Sequence, residues 1–146
     1  MRAVAVAVFA SLMAGCTSLP TTDHLVPVPA VRLTAYQMAS PDRAVLIVLR
    51  DRAFSGSGVN YLLVIDGKEA ARIGAGEQAA FYLPVGERLL EVRHPSPTFG
   101  AIGDSSAFDA RAGSRYYFRV NSDLGTIKLN RTTEASATGT DVPAGR

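Results

Sequence analysis

Histidine and cysteine are scarce in this chain, which holds two histidines and one cysteine. His24 and His94 share no local spacing with a carboxylate or thiol of the kind a metal site or a catalytic triad needs. A single thiol excludes an internal disulfide. Charge of one sign is lacking too. Fifteen Lys+Arg against thirteen Asp+Glu leave +2, and removal of residues 1–15 takes away only Arg2, leaving +1. So weak a field does not steer a domain onto nucleic acid. Neither a G-x-S-x-G elbow nor a G-x-x-x-x-G-K-[ST] phosphate loop occurs, and the glycines of "FSGSGV" and "GAGEQA" fit turns. Nor does any segment carry the apolar periodicity of an amphipathic helix. No cofactor follows from any of these patterns.

The first sixteen residues hold a compact signal. Arg2 gives a positive start, Ala3–Leu12 is apolar apart from Ser11, and small Ala14 and Gly15 precede Cys16. A charged start, a short apolar stretch and small residues at a cut describe a secretory signal. The stretch is too short to cross a bilayer, which takes about 20 apolar residues. From these residues alone, Cys16 is an attachment point, a loose thiol near an ordinary cleavage site, or a buried cytosolic cysteine. The segment "LMAGC", Leu12–Cys16, resembles the lipobox of bacterial lipoproteins, with Met13 where that family favours leucine. The resemblance implies that the Cys16 sulfur carries diacylglycerol, that a dedicated peptidase cuts before it, and that the new amine is acylated. Each buried methylene contributes about 0.8 kcal/mol, so two or three chains hold a domain on a membrane where one does not. Membrane lipid is then the first partner. In a cell with two membranes the expected address is the outer one, facing the periplasm, because Thr17 is not the aspartate that marks inner-membrane retention.

Downstream, the chain divides by texture. Residues 16–42 are expected to be the lipidated cysteine and an extended tether, since Pro20, Pro27 and Pro29 favour extended chain. Val31–Gln37 alternates, as a short first strand or the end of that tether. Residues 43–133 are expected to be a β domain and residues 134–146, with Val142 as the one large aliphatic residue, a disordered tail. Within the domain, Ala44–Leu49 is a continuous aliphatic run, as in a strand buried on both faces. Val59–Ile65 and Lys68–Ile73 flank Asp66-Gly67, a strong hairpin signal because both turn residues take positive φ. Gln78–Leu83, Glu87–His94, Ser106–Arg111, Ser114–Val120 and Thr126–Thr132 follow, separated by turn residues. Strands at this spacing predict an all-β, small antiparallel sandwich of about seven strands.

In Ser114–Val120, Tyr116, Phe118 and Val120 are expected inward and Arg115, Tyr117 and Arg119 outward. That outward face is a candidate surface for a sugar or acidic chain, by stacking and charge; a solvated polar face is the plainer explanation. Many carboxylates stand on polar strand faces, and pairing any two for hydrolysis would be arbitrary.

The order of "LIVLRDRAFSGSGVNYLLVIDGKEAARI", "YLPVGERLLEV" and "ARAGSRYYFRV" resembles a group of bacterial lipoproteins whose domain is related to PEGA-type and immunoglobulin-like sandwiches. The likeness spans about Ala44 to Val120 and departs at Val85, which separates Pro84 from Gly86. It implies an immunoglobulin-like or PEGA-like sandwich and supplies no catalytic residues. The function expected is that of a membrane-anchored envelope protein, a structural or binding module without enzymatic activity, with an envelope protein or peptidoglycan as partner. The alternative is a periplasmic hydrolase or glycan-active enzyme on the same tether.

Overall fold

A computed structural model describes residues 25–52, 58–96, 98, 103–123, 126–134 and 137. The signal segment, Cys16 and most of the expected tail lie outside the described residues. Two sheets pack face to face. One has the order β1-β5-β2-β8-β9, built from Val26–Pro27, Glu77–Leu83, Ala44–Arg50, Arg115–Asp123 and Thr126–Thr132. The other has the order β4-β3-β6-β7, built from Lys68–Ile73, Tyr61–Ile65, Gly86–Arg93 and Gly103–Ala110. The all-β sandwich expected from the turn spacing is the fold.

Side-chain parity decides which residues fill the space between the sheets. Ala44, Leu46 and Val48 of β2, Ala79, Phe81 and Leu83 of β5, Leu90 and Val92 of β6, and Tyr116, Phe118 and Val120 of β8 all face inward and are buried. The hairpin between β3 and β4 turns at Asp66 and Gly67, with φ of 50° and 79°. Asp66 reinforces it. One carboxylate oxygen accepts the Leu89 N–H at 2.9 Å and the other meets Arg88 at 2.8 Å.

Two features depart from expectation. Most pairings are antiparallel, yet β2 runs parallel to β8, with Val45 opposite Arg115 and Arg50 opposite Val120. The connection from β2 to β8 passes through the other sheet, so the two strands meet as neighbours without a hairpin. The second departure corrects the tether expected over residues 16–42. From Val26 onward that segment is part of the domain. Val26 and Pro27 pair with Glu77 and Gln78, and Val28 and Ala35 are buried. Residues 30–32 form a 3-10 turn, and Leu33 bridges Ala71. The Thr34 N–H donates to Ala70 O, and the Tyr82 N–H donates to Tyr36 O. The segment therefore caps β4 of one sheet and β5 of the other. Uncovered strand edges invite pairing with other chains, and covering them is a common protection.

Candidate functional site

The sandwich has two poles, with a buried arginine at one and an exposed arginine at the other. At the first pole β2 ends in Arg50, at the inward position that follows Ala44, Leu46 and Val48. The side chain is 2% exposed. Its guanidinium lies 3.6 Å from the centre of the Tyr61 ring and donates to Val59 O at 2.5 Å and Ile73 O at 2.8 Å. Burial pushes the Arg50 pKa down, while Tyr61 and Glu77 favour the charged form. Glu77 is held from two other sides. Arg32 grips it with both nitrogens, at 2.9 and 2.5 Å, and the Gly74 N–H donates to it at 2.6 Å. Burial pushes the Glu77 carboxyl up, but the Arg32 and Gly74 hydrogen bonds outweigh it and hold the pKa below the ordinary value. This pole thereby locks the incoming segment to the β4–β5 turn. Its polar groups are occupied by one another, so it is a structural clasp.

The opposite pole is open. A basin of about 420 Å³ is lined by Asp109, Arg111, Ser114, Arg115, Tyr116 and Arg131. Its floor is rigid. The Tyr116 hydroxyl donates to Asp109 O at 2.7 Å and accepts the Arg111 N–H at 3.1 Å, and the ring lies against Phe108 at 5.0 Å. Those two hydrogen bonds tie the end of β7 to the start of β8. Arg131 follows Ile127 and Leu129 at the inward positions of β9, and its guanidinium sits 5.3 Å from the Tyr116 ring centre. Arg111 pairs with Asp109 at 3.1 Å. A hydrogen bond with Tyr117 raises the Arg115 pKa, so this guanidinium stays charged throughout the working range.

The outward face proposed from the β8 alternation divides in three. Arg115 is exposed and belongs to the basin. Tyr117 is buried, which corrects its expected role as an exposed stacking residue. Its parity is outward as expected, but Leu49 and Ala137 cover it, with Leu25 and Ile47 packed alongside. Arg119 leans away to Asp51 at 3.5 Å. Burial pushes the Asp51 carboxyl up, and Arg119 offsets part of that rise. Arg111 and Arg131, which sequence reasoning did not single out, join Arg115 instead. His94 packs near Tyr61 and accepts the Ser96 N–H at 3.1 Å. Cys16 and His24 lie outside the described residues.

No protein-family model matches the chain, and no curated protein matches it either. Among the described residues there is no group of three or more His, Cys, Asp or Glu placed to hold a metal ion. No helix among them is long and apolar enough to cross a membrane.

Proposed function

We propose that this chain is a lipid-anchored protein of the cell envelope whose sandwich serves as a binding or structural module rather than as a catalyst. The Cys16 sulfur carries the lipid, and in a cell with two membranes the outer membrane is the site, with the domain in the periplasm. The observation that carries this reading is the order of a charged start, a short apolar stretch, two small residues and the sole cysteine. The fold sets how far the domain can stand from the anchor. The chain enters the sandwich at Val26, clasped at the Arg50 pole through Arg32 and Glu77. From Cys16 to Leu25 the backbone reaches at most about 30 Å, so the point where the chain joins the Arg50 pole stays within that distance of the membrane. The arginine basin lies about 20 Å from that point, along the length of β2.

The test is metabolic labelling with palmitate of the wild type beside Cys16→Ala. Label in the wild type and none in the variant is the expected result. Equal labelling of the two would end the anchor reading.

A further inference from the structure

We infer that the basin between the β7–β8 turn and β9 is a binding site for a carboxylate carried by a peptide or a sugar. This names a ligand class for the module proposed above and rests on that reading only for where the ligand is met.

Three arginines from different parts of the fold line this basin: Arg111 from the turn, Arg115 from the start of β8 and Arg131 from the end of β9. One lining carboxylate, Asp109, accompanies them. Gathering like charges in a concavity raises the local potential, and an anion relieves it. The planar guanidinium fork matches a carboxylate in two parallel hydrogen bonds, which gives direction as well as charge. The lining supplies no aliphatic side chain, which excludes an apolar ligand, and its volume lies in the range of about 300–1,000 Å³ that small ligands occupy.

Two details select the kind of anion. Asp109 remains within the basin, and the Glu134 carboxylate also acts on Arg115. A dianion meets both carboxylates in repulsion, whereas a monoanion fits the modest positive excess. The Tyr116 hydroxyl already makes its donor bond to Asp109 O, so the floor has no proton to give the ligand and serves as a fixed ring face. A sugar or peptide backbone resting on that rim places its carboxylate beside the basin's arginines.

The test is an NMR titration of the uniformly ¹⁵N-labelled full chain in neutral detergent micelles at fixed ionic strength. Four probes are used: N-acetylglutamate, glucuronate, inorganic phosphate and acetamide. Either carboxylate should give saturable shifts at Arg111, Ser114, Arg115 and Tyr116, and bind tighter than phosphate, with acetamide silent. Preference for N-acetylglutamate assigns a peptide source, and preference for glucuronate assigns a sugar source. Arg131→Gln and Arg115→Gln should each weaken binding about fivefold, the scale of one exposed ion pair, with the Ala44–Arg50 amide signals unmoved. If Arg131→Gln disturbs those signals, Arg115→Gln and Arg111→Gln decide. Shifts that are alike for every anion, tighter binding of phosphate, or folded variants that bind as the wild type would each overturn the assignment. The same titration on Cys16→Ala separates the two readings, because its result stands whether or not the chain is acylated.

Discussion

Replacing Arg50 by methionine tests whether the buried guanidinium holds its pole of the sandwich together. Methionine fills much of the same volume with a flexible apolar chain. It cannot donate to Val59 O or Ile73 O, which lie 2.5 and 2.8 Å from Arg50 Nη1. Each carbonyl left without a donor costs about 1–3 kcal/mol, and loss of the desolvated contact with Tyr61 costs about 2 kcal/mol more. Against this, the variant no longer removes a charge from water, which by itself costs several kcal/mol per ion. Glu77 keeps its Arg32 partner, so no buried carboxylate is stranded. The net expectation is a loss of about 3 kcal/mol, a large share of the 5–15 kcal/mol that stabilises an ordinary domain.

Urea unfolding followed by far-UV circular dichroism and tyrosine fluorescence reads this out, since the chain has five tyrosines and no tryptophan. The midpoint should fall by about 2 M. Arg50→Lys, which keeps the charge but loses the planar fork, should fall about half as far. A double-mutant cycle with Tyr61→Leu should return a coupling of about 1–2 kcal/mol. A methionine variant as stable as the wild type, or a coupling near zero, would refute the reasoning. Desolvation would then have outweighed the hydrogen bonds, as it does in some buried ion pairs.

Two other perturbations probe the fold at independent points. A Cβ on Gly103 would lie 2.3 Å from the Val92 carbonyl oxygen, a clash with backbone that cannot rotate aside. Gly103→Ala should therefore cost about 2 kcal/mol and speed hydrogen exchange at the Val92 and Arg93 amides; unchanged exchange counts against the close approach. The depressed Glu77 pKa sets an acid limit. The stability it contributes is complete above the ordinary value of 4.5 and is lost as pH falls through the folded value. Urea midpoints should hold from pH 7 to 5 and drop below about pH 4.5, and Glu77→Gln should cost about 1–2 kcal/mol at pH 7 while flattening that drop.

Much of the sandwich was legible because parity and turn chemistry are local. The alternation in β8 put Tyr116, Phe118 and Val120 inside, and Asp66-Gly67 marked its hairpin because few residue pairs accept two positive φ values. The docking of residues 26–36 was not legible for a physical reason. Pro27 and Pro29 favour extended chain whether that chain is free or laid against a strand edge, and β4 and β5 offer their edges only once both sheets exist. Tyr117 shows the complementary limit. Parity gives the face of a sheet, but not whether another segment lies across it, and here Leu25 and Ala137 approach from the two far ends of the chain.

The arginines at the two poles were readable from the same parity, had it been carried one residue further. Arg50 continues Ala44, Leu46 and Val48, and Arg131 continues Ile127 and Leu129, so each falls on the inward side of its strand. A charge after the last aliphatic residue looks like a strand terminator, because charged groups are rarely buried unless paired. An arginine is the exception that the inward end of a strand permits, since its long stem follows the apolar wall while the head sits over an aromatic ring. The two heads differ in what surrounds them. Arg50 finds carbonyls and Glu77 on every side and becomes part of the core. Arg131 reaches the rim beside Arg111 and Arg115 at the open end. Identical chemistry thus closes one end of the sandwich and leaves the other with arginines facing solvent.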